Sequence, residues 1–181
     1  MNKGFFFDRD GILNELVRDD GSLRPPNNTK ELVLNYEIFD SINKLKRFFK
    51  IFIVTNQPDV ARGSLSKNNL MEINKIINKK LVFDDIEIEI EDDTNKKKPN
   101  PFMLNRLIKK YNIDSKNSWI FGDRWVDIQA GKSAGLKTIL LEKEYSYDPS
   151  SSKVMEENLI PDFKIDNLSD FNQLVSSYFL Q

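Results

Sequence analysis

Four short segments hold side chains that could move a phosphoryl group. They are Asp8-Arg9-Asp10-Gly11, Val54-Thr55-Asn56-Gln57, Lys98-Pro99 and Gly122-Asp123-Arg124-Trp125-Val126-Asp127. In this order they offer a carboxylate nucleophile, a hydroxyl, a lysine and a further carboxylate for a metal. Phosphoryl transfer to an aspartate requires that set. Alone, an Asp-x-Asp-Gly stretch reads as a turn or a weak calcium-like loop, and Lys98 as one charge of the run Lys96-Lys97-Lys98. The succession of all four, with an apolar run ahead of three of them, makes the chemical reading.

Asp8 is placed to attack phosphorus and become an aspartyl phosphate. Asp10, two residues on, is close enough to protonate the leaving oxygen and later to deprotonate the water. Gly11 lets the chain turn sharply away. Two carboxylates repel a phosphate dianion, so the site needs a cation. Asp123, with Asp8 and a main-chain carbonyl near Asp10, would supply oxygen ligands for Mg²⁺. Lys98 adds a fixed positive charge and Thr55 a hydrogen bond to a phosphoryl oxygen. Asp127, one helical turn after Asp123, could hold the metal's waters, orient Lys98, or be a plain helix-surface acid.

The elements that position these residues follow from the apolar pattern. Gly4 to Asp8, Lys50 to Thr55, Ser118 to Asp123 and Lys137 to Leu141 are near-continuous apolar runs, as expected of buried parallel strands. Between them lie helical patterns over about Tyr36 to Phe49, from Ser66 as N-cap, from Pro101 to Tyr111, and from Val126 to Ala134 before Gly135. Strand alternating with helix predicts a doubly wound parallel α/β sheet. Ligands of such sheets bind beyond the carboxyl ends of the strands, where Asp8, Thr55 and Asp123 all fall. Residues 11–35 hold Asp19-Asp20-Gly21 and Pro25-Pro26 and read as a loop or small hairpin, a short flap over the site. Asp84 to Lys97 opens as a half-exposed strand of alternating acids, and Tyr145 to Ser152 reads as a mobile polar loop. Phe163 to Asp166 and a helix near Leu168 to Tyr178 look like a closing strand and helix.

Composition narrows the chemistry. The 181 residues suit one domain with a small insertion. With no cysteine and no histidine, thiol catalysis, disulfides and thiolate zinc sites are excluded, and acid–base work falls to Asp, Glu, Lys or Tyr. A net charge of −1 argues against a broad nucleic-acid or membrane surface. No apolar run approaches the ~20 residues of a membrane span, so a cytoplasmic location is the expectation, and nothing demands more than a monomer.

The four segments resemble the four motifs of the haloacid-dehalogenase superfamily. The longer match is to the heptose-bisphosphate and histidinol-phosphate phosphatase branch, through FFFDRDGILN (Phe5 to Asn14), VTNQPDVARG (Val54 to Gly63), KKPNPFML (Lys97 to Leu104) and GDRWVDIQAGKSAG (Gly122 to Gly135). The resemblance implies a Rossmann-like core with no large cap domain. It implies Asp8 as nucleophile, Asp10 as acid/base, Thr55 and Lys98 as phosphate ligands, and Asp8, Asp10 and Asp123 as Mg²⁺ ligands. It also implies that Asn56, Arg62, Lys97 and Arg124 lie near substrate. The branch usually carries a Cys/His zinc loop before its lysine-proline motif. Here that stretch is IEIEDDTNKK (Ile88 to Lys97), which cannot hold zinc in that way. Lys97 and Arg124 stand where the branch commonly has Arg and Lys, a swap that alters anion reading because only arginine binds in a fork.

The expectation is therefore a Mg²⁺-dependent phosphomonoester hydrolase acting on a small phosphorylated metabolite, a sugar phosphate such as a heptose bisphosphate. Two alternatives stand beside it. A nucleic-acid 3′-phosphatase would want a basic, aromatic groove that the sequence does not display. A non-catalytic phosphoryl-accepting regulator would not need Asp10.

Overall fold

The computed structural model describes residues 1–147 and 159–180. In chain order it contains β1 (Gly4–Phe7), a hairpin of β2 (Val17–Asp19) and β3 (Ser22–Arg24), α1 (Phe39–Leu45), β4 (Lys50–Asn56) and α2 (Lys67–Lys80). Then come β5 (Asp85–Glu89), α3 (Phe102–Tyr111), β6 (Trp119–Gly122), α4 (Trp125–Ser133), β7 (Lys137–Leu141), β8 (Phe163–Ile165) and α5 (Leu168–Leu174). Six strands form one parallel sheet in the order β5-β4-β1-β6-β7-β8. The order runs outward in both directions from β1, so the sheet is doubly wound and its switch point lies beside β1, where a crevice opens beyond the strand ends.

The strands are apolar on both faces because both faces are covered. Successive side chains alternate across the sheet. Phe5 and Phe7, with Ile51, Ile53, Trp119 and Phe121, join a core with residues of α1, α2 and α5. Phe6, with Phe52, Val54 and Ile120, packs against α3 and α4 on the other side. All three phenylalanines of β1 are fully buried, which fixes the height of Asp8 at the next position.

Several boundaries follow the sequence closely. The Ser66 hydroxyl caps α2 by accepting from the Asn69 N–H, at 3.1 Å. The expected closing strand and helix are β8 and α5. The helix expected to run to Phe49 is shorter. It opens as a 3₁₀ turn over Tyr36–Ile38 and ends at Leu45, because the Lys50 N–H must reach the Lys3 carbonyl, at 2.8 Å, to start β4. The alternating acids of β5 form a sheet edge, and bases of α3 cover two of them: Lys110 binds Asp85 at 2.7 Å and Arg106 binds Glu87 at 3.2 Å. Most of the segment expected to be a mobile polar loop lies outside the described residues. Tyr145 and Ser146, at its start, are bonded into the centre described below. Among the described residues no helix is long and apolar enough to cross a membrane.

Candidate active site

The candidate residues converge because β1, β4 and β6 are adjacent and parallel, with Phe7 level with Ile53 and Phe121. The Asp8 N–H donates to the Phe121 carbonyl at 2.9 Å, which ties the segment after β1 to β6. Thr55 and Asn56 close β4, and Asp123 follows β6 directly. Lys98 arrives from the loop before α3. Asn56 holds that loop with both ends of its amide: Nδ2 donates to the Lys98 carbonyl and Oδ1 accepts from the Lys98 N–H, each at 2.9 Å.

At the base of the site Lys98 Nζ is buried and donates three hydrogen bonds. They run to Asp8 Oδ1 at 2.8 Å, Asp127 Oδ1 at 2.6 Å and the Val54 carbonyl at 2.7 Å. Burial alone would push the ammonium's pKa down, but the Asp127 and Asp8 carboxylates outweigh it and hold it above the ordinary lysine range. Asp127 is thus a buried partner of Lys98 and not a surface acid. Its Oδ2 also accepts the Arg124 N–H at 3.1 Å, satisfying a free donor at the start of α4. A Cβ on Gly122 would sit 2.3 Å from the Asp127 side chain, so only glycine lets the acid fold back beneath β6.

Asp8, Asp123 and Asp127 each present a carboxylate oxygen within 4.8 Å of the others. Burial, with help from Asp127 and Asp10, lifts the Asp8 pKa to about 6 against the opposing pull of Lys98. Burial and the charges of Asp8 and Asp127 push Asp123 well above the ordinary carboxylate range. With Asp8 and Asp123 both held back from ionising, the cluster lacks positive charge. Asp123 Oδ1 is in addition buried without any hydrogen-bond partner. Compact, hard oxygen donors with one orphaned oxygen fit a hard divalent cation such as Mg²⁺. Gly11, with φ +89°, passes so close that a Cβ there would lie 1.8 Å from Asp123 Oδ2.

Asp10 is held apart from that cluster. Its carboxylate accepts from Arg9 Nε and Nη2 at 2.9–3.2 Å, from Asn14 Nδ2 at 3.0 Å and from Gln57 Nε2 at 2.6 Å. Gln57 Nε2 also donates to Thr55 Oγ1 at 2.9 Å, linking the two expected catalytic side chains. Arg9, fully buried, reaches Asn74 of α2 at 3.1 Å. Any share of Asp10 in a cation site would thus fall to its main chain, as the sequence suggested; the third carboxylate of the cluster belongs to Asp127.

Above these groups lies a cavity of about 320 Å³, lined by Asp8, Asp10, Thr55, Asn56, Lys98, Asp123, Arg124, Asp127 and Tyr145. Leu16, Gly21, Leu23 and Pro25, in and beside the β2–β3 hairpin, form its outer wall. Of the four expected substrate contacts, Asn56 and Arg124 line this cavity. Arg62 and Lys97 do not. Both bind Asp92, at 2.9 and 2.5 Å, in the stretch where the resembling branch holds zinc. Arg9, Asn14, Gln57 and Tyr145 are contributors that the sequence reading passed over. Tyr145 had one available signal: it lies just beyond the carboxyl end of β7, as the other site residues do beyond β1, β4 and β6. Burial and the adjoining Asp123 raise its phenol pKa, so it remains a donor.

A family model described as haloacid dehalogenase-like hydrolase matches residues 24–141. The chain is 27% identical over 190 residues to the D-glycero-beta-D-manno-heptose-1,7-bisphosphate 7-phosphatase of Haemophilus influenzae, covering 97% of each. It is 28% identical to the D-glycero-D-manno-heptose-1,7-bisphosphate 7-phosphatase of Chlorobaculum tepidum, over 98% of this chain and 94% of that one. The crystal structure of a D,D-heptose 1,7-bisphosphate phosphatase from B. bronchiseptica, complexed with magnesium and phosphate, superposes with a TM-score of 0.65. That match has 25% identity and covers 76% of this chain and 79% of that one. Fold, motif order and these relatives agree: the chain belongs to the haloacid dehalogenase-like hydrolases and is a phosphatase.

Proposed function

We propose that the protein hydrolyses a phosphomonoester of a small phosphorylated sugar, of the heptose-bisphosphate class, through a phosphoryl group carried on Asp8. The observation that carries this reading is the buried Asp8 beside Lys98, at 2.8 Å, on the floor of a cavity that also holds Asp10 and Thr55. An Asp8 oxygen attacks phosphorus and the bond to the sugar oxygen breaks. Asp10 gives that oxygen its proton. Water then attacks the phosphorus, Asp10 takes the water's proton, and the bond to Asp8 breaks to regenerate the carboxylate and free phosphate. The Thr55 hydroxyl donates to a phosphoryl oxygen, and Lys98, whose N–H to Asp8 Oδ1 is released as that oxygen binds phosphorus, turns the freed donor to another while charge builds on them.

Asp8 and Asp123, together with Asp127 or the main chain of Asp10, would hold Mg²⁺. When bound it offsets the charge between the carboxylates and the phosphate dianion. Arg124 is the exposed cation on the cavity wall, and among the described residues it has no ion-pair partner. It is the favoured reader of a second phosphate, since Arg62 and Lys97 are drawn to Asp92 and do not line the cavity. The small hairpin at residues 17–24 serves as the flap that narrows the entrance. The relatives named as heptose-1,7-bisphosphate 7-phosphatases, matched over nearly their whole length, support this class over an oligonucleotide.

The test is phosphate release from a panel of sugar mono- and bisphosphates, nucleotides and a 3′-phosphorylated oligonucleotide, with Mg²⁺ or EDTA. Turnover of a sugar bisphosphate that requires Mg²⁺ is expected. Turnover of the oligonucleotide alone would replace the sugar reading with a nucleic-acid one.

A further inference from the structure

The Asp123 carboxylate is held asymmetrically. Its Oδ2 accepts the Tyr145 phenol at 2.9 Å and lies against the Gly11 backbone. Its Oδ1 is buried with no hydrogen-bond partner. Tyr145 belongs to none of the four motifs. It reaches Asp123 because the chain beyond β7 is stitched to the chain beyond β6. Ser146 Oγ donates to the Asp123 carbonyl at 2.6 Å, and the Trp125 N–H donates to the Ser146 carbonyl at 2.9 Å. Ser146 Oγ also accepts the Lys143 N–H at 2.8 Å, and Ser146 is fully buried. The tyrosine is therefore anchored by its neighbour, with its hydroxyl on one carboxylate oxygen and its ring on the cavity wall.

We propose that Tyr145 is the positioning residue of the cation site: by occupying Asp123 Oδ2 it fixes the carboxylate's orientation and reserves Oδ1 as a single-oxygen ligand. This rests on the reading of Asp123 as a cation ligand given above. A carboxylate bound through one oxygen suits Mg²⁺, which demands compact, near-octahedral coordination. Ca²⁺ is larger and accepts a carboxylate through both oxygens. Tyr145 thus favours the smaller ion as well as strengthening its binding. Hydrogen bonds to a metal's ligands commonly govern affinity by 10–100-fold.

The experiment uses the full chain stripped of metal, with no substrate. Mn²⁺ binding is followed by electron paramagnetic resonance and competed with Mg²⁺ or Ca²⁺, for wild type, Tyr145→Phe and Asp123→Asn. Tyr145→Phe removes one oxygen and keeps the ring, so the metal-free unfolding midpoint should move little. The expected result is Mg²⁺ affinity lowered by about 10–100-fold in Tyr145→Phe, with a smaller loss for Ca²⁺. Unchanged Mg²⁺ affinity in Tyr145→Phe, with binding lost in Asp123→Asn, would overturn the role of Tyr145 alone. Wild-type affinity retained in Asp123→Asn would overturn the cation reading and this inference together.

Discussion

At the scale of single residues, the centre is a lysine bonded to two carboxylates and a carbonyl. Removing the cation of this buried cluster leaves the Asp8 and Asp127 carboxylates uncompensated, which typically costs about 3–5 kcal/mol. Lys98→Met is expected to destabilise the protein by that order at pH 7.5, read by urea unfolding, as well as to abolish turnover. Asp10→Asn should behave differently. Arg9, Asn14 and Gln57 surround that carboxylate with donors, and an amide can still accept from some of them. Turnover should fall by about 10²–10⁴-fold, the usual worth of positioned acid–base catalysis, with a smaller change in stability than Lys98→Met. Steady-state kinetics beside unfolding curves separates the two cases, and wild-type rates in Asp10→Asn would remove it from the mechanism. The four motif residues were legible from sequence because three follow an apolar run and Lys98 is followed by Pro99. Arg9, Gln57 and Tyr145 were not, because their importance lies in which carboxylate they touch, and sequence spacing does not encode that.

At the scale of elements, the site is assembled by strand order. β1 lies between β4 and β6, so residues separated by more than 40 positions, such as Asp8 and Lys98 with a separation of 90, meet. Near-continuous apolar runs made those strands readable in advance, since burial on both faces leaves no other pattern. The end of α1 was less readable: the pattern of Ile38, Ile42, Leu45 and Phe49 continues past Leu45, but pairing of Lys50 with Lys3 overrides it. The β2–β3 hairpin touches the cavity through Gly21 and Leu23 and is held by Arg24, which pairs with Asp19 at 2.9 Å and with Glu31 at 2.8 Å. Replacing residues 18–23 by a short Gly-Ser turn is expected to raise KM for a sugar phosphate several-fold. The unfolding midpoint should barely move, because those residues contribute nothing to the two cores. A KM unchanged by the replacement would mean the hairpin does not border bound substrate.

At the scale of the whole molecule, the buried carboxylates couple stability to pH. Asp8 titrates near pH 6 in the folded protein against an ordinary value of 3.8, and Asp123 is shifted the same way. The folded chain therefore keeps protons that the unfolded chain releases. The contribution of Asp8 to stability is fully present below pH 3.8 and is lost as pH rises through 6, and Asp123 acts in the same direction. For Asp8 alone the loss is on the order of 3 kcal/mol. Metal-free protein should accordingly unfold at a lower temperature at pH 7.5 than at pH 5, and Asp8→Asn should flatten that dependence and raise the midpoint at pH 7.5. Calorimetry in EDTA reads both, and a midpoint that climbs from pH 5 to pH 7.5 would contradict the burial argument. On the proposed reading, Asp8 is the nucleophile of that centre. The most direct measurement of that claim is mass spectrometry of protein quenched in acid during turnover of a heptose bisphosphate with Mg²⁺. A phosphate-mass adduct mapping to the peptide that contains Asp8, and absent from Asp8→Asn, is expected. Full turnover with no adduct, together with wild-type rates in Asp8→Asn, would contradict it.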